Sequence, residues 1–501
     1  MEQLTQAMQT ILGTDTIGSW VNGSIIHGSG ETINLYHAED ESILMAYQDA
    51  DASIAATIDE AAKVAQQQWW ALTAKERGRI LYQVGAEIRH HADTLGLVEC
   101  INANKPLNNA KAEVIIVAEM FEYYAGWADK LHGEVIPVPT SHLNYVKYEA
   151  MGTILQFTPW NAPIFTAGWQ VAPALAAGNA VILKPSELTP ITSLMLGALI
   201  EKAGAPKGLV SVVAGYGHTV GQTLIANNDI RKICFVGSPN TGAHISMAAA
   251  KRCIPCVLEL GGKSANIVFD DANLDSAMKG AMAAIFGGSG QSCVSGSRLL
   301  VQDTIFDKFV AAVASAAQQI RVGAPLESGC DIGPIQNRKQ YDHICRLLDI
   351  GTEEGATIAQ NVQPIAERKG LFINPTVLIG DNQMTVAQQE IFGPVVVAIP
   401  FKDEADAIAI ANDSEFGLAG AVWTNDVARA HRVADQVKAG TFWINSYKTI
   451  HVSSPFGGYR NSGHGRSSGL EVLREYSEVK SVWVETAPQP AFSFNYGTVE
   501  G

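Results

Sequence analysis

The chain has 501 residues, too many for one hydrophobic core, so two or more domains are expected. Hydrophobic residues make up 47% and charged residues 17%, the balance of a globular enzyme, and the net charge of −15 speaks against nucleic acid and anionic membrane as partners. No apolar run approaches the ~20 residues of a membrane helix. The start, MEQLTQAMQTILG, lacks the cationic region of a signal peptide, and 7 irregularly spaced cysteines read as reduced thiols of a cytoplasmic protein.

Residues 51–130 carry mostly helical periodicity, as in DASIAATIDEAAKVAQQQWWAL. From Gly152 the pattern changes. GTILQFTP, AVILKPS, LVSVVAG, KICFVGS and CVLELGG read as strands, and the helices TAGWQVAPALAAG, TPITSLMLGALIEKAG and PNTGAHISMAAAKR lie between them. Short β-branched runs that alternate with longer helical periods mean βαβ units and a buried parallel sheet. A second α/β block follows residue 293, with strands in SRLLVQD, TVLIGD, VVVAIPF, AGAVWTND and AGTFWINS. Two α/β lobes invite a ligand cleft between them.

The stretch GQSCVSGSR sets Cys293 among small residues, which leave room beside the thiol. A cysteine is more often a small buried hydrophobe, so other motifs must carry the argument. Gly215–Gly221 resembles a dinucleotide fingerprint, but Val220 stands where the third glycine belongs. Gly237-Ser238-Pro-Asn-Thr-Gly242 is a better phosphate site, because a strand ends, a glycine turns the chain and a helix starts with Ser238 near its N-cap. An ordinary strand–helix turn has the same pattern. Lys184 and Glu187 in ILKPSE fall at the carboxyl end of a strand, where such sheets bind ligands. A carboxylate there accepts ribose hydroxyls and repels a 2′-phosphate, which favours NAD over NADP. Glu259, at the tip of the strand in LELGGKS, suits a general base or a structural ion pair. Cys253 and Cys256 have redox-motif spacing, but no second pair completes a zinc site and no histidine set binds metal, so no metal is expected.

LKPSE, FVGSPNTG, LELGGKS and GQSC, in that order, together with FTPWNAP, EIFGPV, FGLAGAVWTND and PFGGYRNSGHGR, resemble the aldehyde dehydrogenase superfamily over roughly residues 15–485. The resemblance implies two Rossmann-like doubly wound α/β domains and a small β oligomerisation arm. Its implied divisions are an NAD-binding domain of 1–130 and 151–261, a catalytic domain of 262–470, and an arm and tail of 131–150 and 471–501. It implies Cys293 as nucleophile, Asn161 as oxyanion donor and Glu259 as base for thioester hydrolysis. Because acyl-transferring relatives generally lack that glutamate, the implied product is the free acid. Thr158, Trp160, Lys184, Ser186, Glu187, Gly237, Ser238, Leu260, Glu390 and Phe392 match the family's cofactor cleft. Ala162, Thr166, Trp169, Ser292, Val294, Ile450, His451 and Phe456 would line the substrate funnel.

Gln170 and Ser467 replace the lysine and glutamate that many relatives use as a proton relay, and the joint loss of both charges avoids leaving one unpaired. Ala162 widens the funnel, which Phe165 or Phe456 can refill, and points to a medium-sized polar or aromatic aldehyde. A lone exposed loop histidine is the plainer reading of His451. The arm would pair strands across a homodimer, which can double to a tetramer, with Phe492, Phe494 and Tyr496 of the tail packed on a neighbour. The rival functions are a cysteine-dependent acyl or ester hydrolase without a redox step, and a silent structural relative.

Overall fold

The computed structural model describes residues 2–227, 229–359 and 368–488; Phe492, Phe494 and Tyr496 lie outside them. Two open sheets organise the chain. The first has eight strands, in the order Ser24–Ile26, Ser19–Val21, Val210–Val212, Ala180–Lys184, Thr153–Phe157, Ile230–Val236, Cys256–Glu259 and Gly463–His464. The five central strands are parallel, and both edges are closed by antiparallel pairs. TILQF and AVILK are buried at every residue. Both faces of these strands are covered, so they read as unbroken apolar runs and do not alternate.

Chain order runs outward in both directions from Thr153–Phe157, so the topological switch lies between that strand and Ile230–Val236. Connections on the two sides of the switch leave on opposite faces and open a crevice at the carboxyl ends. Thr158 and Gly237 are the first residues past those two ends. The helices that cover the sheet follow local rules. Pro163 opens Pro163–Ala176 at N1, where a missing N–H costs nothing. The Ser238 side chain caps Pro239–Ala250 by accepting from the Thr241 N–H.

The second sheet has seven strands, ordered Thr357–Ile358, Thr376–Ile379, Val395–Phe401, Arg298–Gln302, Ala265–Val268, Ala419–Trp423 and Thr441–Ile444, all parallel except the first. Its strand Ala265–Val268 follows Glu259 after only five residues, so the two sheets meet at one tight crossing. A separate antiparallel sheet joins Glu134–Ile136, His142–Ala150 and Ser477–Glu485. It exposes Val135, Leu143, Val479 and Trp483. A hairpin of Thr32–Tyr36 and Ile43–Gln48 reaches across to the second lobe, where Leu371 N–H bonds the Ala38 carbonyl at 2.8 Å.

Candidate active site

Cys293 sits in the loop between helix Leu274–Phe286 and strand Arg298–Gln302. The loop leaves the helix through three left-handed residues, Gly288 (φ 68°), Ser289 (φ 57°) and Gly290 (φ 69°). Ser289 tolerates that backbone because its hydroxyl is anchored on the Gly333 carbonyl at 2.8 Å. The chain then turns tightly, with Ser295 N–H on Ser292 O at 3.0 Å, and holds Cys293 inside the turn. Val294 points into the core, and its carbonyl accepts the Tyr447 hydroxyl at 3.0 Å. Gly262 packs so closely that a β-carbon there would stand 2.6 Å from the Cys293 carbonyl oxygen.

Asn161 and Glu259 reach the same place from the first sheet. Asn161 Nδ2 donates to the Gln291 carbonyl at 2.8 Å, which fixes the amide beside the cysteine turn and leaves its second N–H open. Glu259 ends its strand 6% exposed, and neither carboxylate oxygen has a hydrogen-bond partner among the described residues. Burial pushes its carboxyl up to about 8, and the nearby Ser467 hydroxyl and Arg466 guanidinium offset part of that rise. Burial pushes the Cys293 thiol up to about 12, with Glu390 and Glu259 adding to the rise and Lys448 opposing it. A neutral thiol, an amide donor and an unpaired carboxyl are thus held together.

The proposed cofactor residues line the crevice at the switch. Lys184 is buried, bonded through Nζ to the Pro185 carbonyl at 2.8 Å, and burial lowers its ammonium. Thr158 takes a backbone bond from its own N–H to Lys184 O, while its buried hydroxyl has no partner among the described residues. Ser186 accepts from Leu188 N–H, and the Glu187 carbonyl accepts the Tyr47 hydroxyl at 2.8 Å. Gly237 bonds Glu259 O through its N–H, and a β-carbon on it would strike the Phe235 ring at 2.5 Å. Gly242, one turn into the capped helix, has room for no side chain because Leu260 lies 2.7 Å from such a β-carbon. On the other wall Glu390 accepts the Gly262 N–H at 3.0 Å, and burial pushes it up to about 7. A β-carbon on Gly261 would collide with that carboxylate. Phe392, left-handed at φ 54°, sets its ring edge-on to Trp160 at 5.4 Å. An orphaned hydroxyl, a buried ammonium, a helix N-terminus and glycines that admit no β-carbon form a cradle that fits a dinucleotide.

The residues expected to line a substrate funnel include an aromatic cluster. Trp169 stacks on Phe165 at 5.3 Å and meets Phe456 edge-on at 6.0 Å. Its indole N–H donates to Ser467 Oγ at 2.9 Å, so Ser467 holds the tryptophan beside Glu259. Ala162 precedes this helix, and Thr166 lies buried in its first turn. Ile450 and His451 occupy an exposed loop, where His451 Nδ1 pairs with Ser453 Oγ at 2.6 Å. The sequence reasoning missed Gln291, whose side chain accepts from Gln336 N–H at 3.0 Å and so ties the cysteine turn to the second lobe. It also missed Lys448, for which a lysine beside Tyr447 was the only available signal.

The sequence model of the aldehyde dehydrogenase family matches residues 25–482. An aldehyde dehydrogenase of Emericella nidulans is 40% identical over 470 residues, covering 93% of this chain and 94% of its own length. Human retinal dehydrogenase 2 is 40% identical over 466 residues, with 91% and 89% covered. Among solved structures, the NAD+ complex of an aldehyde dehydrogenase from Bacillus cereus superposes with a TM-score of 0.93 at 36% identity, over 96% of this chain and 98% of that one.

Proposed function

The chain belongs to the aldehyde dehydrogenase family, and from that premise we propose how its own residues carry the NAD-dependent oxidation of an aldehyde to the carboxylic acid. Cys293 attacks the aldehyde carbon as its thiolate, a C–S bond forms, and the thiol proton leaves through water. The oxygen becomes an oxyanion held by the open N–H of Asn161 and the backbone N–H of Cys293. NAD, when bound, supplies the hydride acceptor. The acyl group is left as a thioester on Cys293. Glu259 then takes a proton from an attacking water, the C–S bond breaks, and acid and thiol are released. One observation carries this reading: a deeply buried carboxyl with both oxygens unpaired stands beside a cysteine in a turn of small residues. A purely hydrolytic cysteine enzyme is not favoured for a chain of this family.

For the cofactor, Lys184 and Glu187 hold the adenine-side ribose, Ser238 contacts the pyrophosphate, Glu390 holds the nicotinamide ribose with Phe392 nearby, and Thr158, Trp160, Ser186, Gly237 and Leu260 line the same cleft. Ala162, Thr166, Trp169, Ser292, Ile450, His451 and Phe456 form the way in for a medium-sized polar or aromatic aldehyde; Val294, expected there too, packs into the core instead. The three larger sheets support a division into 1–130 with 151–261, then 262–470, then 131–150 with 471–501, although Gly463–His464 joins the edge of the first. The exposed apolar side chains of the three-stranded sheet support a homo-oligomer, a dimer or homotetramer. Seven free cysteines support a cytoplasmic site of action. No helix among the described residues is long and apolar enough to cross a membrane. The test is NADH formation with an aldehyde panel, run with NAD and with NADP. NAD-dependent turnover is expected. Cleavage of esters with no reduction of either cofactor would overturn the reading.

A further inference from the structure

Lys448 has no part in the chemistry assigned above, yet the fold brings it to the nucleophile. It follows Tyr447, whose hydroxyl bonds the carbonyl of Val294, the residue next to Cys293. Its backbone is left-handed at φ 59°, a conformation unfavourable for a residue with a β-carbon and kept where the surroundings enforce it. The side chain lies against the start of the cysteine loop, where Nζ donates to the Gly287 carbonyl at 3.2 Å. That carbonyl is its one hydrogen-bond acceptor, and no carboxylate pairs with it, among the described residues. An ammonium has three donors, so two are left without a protein acceptor.

The surroundings are those of a ligand site. Burial pulls the Lys448 ammonium down to about 8, and the Cys293 thiol is the titratable group that it feels. A partly buried cation without a counter-charge is costly, and structural lysines are normally paired. Gly287 adds a second observation. A β-carbon there would meet a single group within 4 Å, the Lys448 nitrogen at 3.6 Å. The backbone of Gly287 does not require glycine (φ −57°). Its missing side chain therefore leaves open space beside the ammonium, six residues ahead of the nucleophile.

We propose that Lys448 anchors a carboxylate carried by the aldehyde, so that the substrates of this enzyme are semialdehydes of dicarboxylic acids. Two Nζ–H donors and the space over Gly287 receive the carboxylate while the aldehyde carbon lies at Cys293. The inference rests on the aldehyde oxidation proposed above. Its experiment compares kcat/KM with NAD for succinate, glutarate and adipate semialdehydes against butanal, pentanal and hexanal, in the full-length protein. At the fitting length the semialdehyde is preferred, and Lys448→Met lowers the ratio of semialdehyde to alkanal roughly 10- to 100-fold, the range of a hydrogen bond to a charged group. Lys448→Arg keeps part of the preference. Glutarate inhibits hexanal oxidation competitively in the wild type and more weakly in Lys448→Met. Three results would overturn it: no preference at any length, a ratio unchanged in Lys448→Met, or equal losses for both substrates, which would make Lys448 a partner of the thiol alone. If alkanals and semialdehydes alike give no NADH, the aldehyde oxidation itself fails and the inference with it.

Discussion

Changing Glu259 to glutamine keeps the shape of the side chain and removes its ability to take a proton. The carboxyl is held at about 8 by burial, so it is ionised in roughly one molecule in ten at pH 7 and nine in ten at pH 9. Thioester hydrolysis in the wild type should therefore rise about tenfold over that interval and then level. In Glu259→Gln the rise disappears, and kcat falls by roughly 10²- to 10⁴-fold, the range for a lost general base. Rapid mixing with NAD and aldehyde separates the steps: Glu259→Gln releases NADH in a burst of about one per active site and then nearly stops. The stability effect has the opposite sign. The folded carboxyl binds its proton more tightly than the unfolded one, whose ordinary value is 4.5. Its contribution is complete below 4.5 and is lost as pH rises through about 8. Each pH unit in that window is worth ~1.4 kcal/mol. Glu259→Gln should thus gain Tm over the wild type as pH rises from 5 to 8. Wild-type turnover with an unchanged pH profile in Glu259→Gln would refute the assignment of the base.

Asn161→Ala removes the amide donor and should lower kcat by roughly 10²- to 10³-fold, with a smaller change in KM, measured as steady-state NADH formation. Gly261→Ala pushes a β-carbon into the Glu390 carboxylate. It should weaken NAD roughly 5- to 100-fold, the effect of an overpacked site, with the Kd followed by quenching of tryptophan fluorescence.

The parallel strands were legible in the sequence because TILQF, AVILK and KICFV are continuous apolar runs separated by full helical periods, the mark of strands buried on both faces. The edges were not. Ser19–Val21, Ser24–Ile26 and Gly463–His464 are two or three residues long, too short to show any period, and only the sheet they join makes them strands. The hairpin over Thr32–Gln48 was hidden for a related reason: its alternating burial covers only a few residues on each side of an irregular turn. In the site, Ser238 could be read as a cap because its side chain and the proline after it are local signals. Lys448 could not, since its direction depends on a left-handed backbone at a non-glycine residue and on a carbonyl 161 residues away. The unpaired state of Glu259 was equally hidden, because a sequence does not show which carboxylates lack a partner.

The role of Cys293 can be tested directly by acid quench of Glu259→Gln during its burst, followed by mass spectrometry of the intact chain and its peptides. An acyl group, heavier than the free thiol by the aldehyde less two hydrogens, should be found on the peptide GQSCVSGSR at Cys293 and be absent from Cys293→Ala. NADH release with no adduct at Cys293, or with the acyl group on another of the free cysteines, would contradict the mechanism.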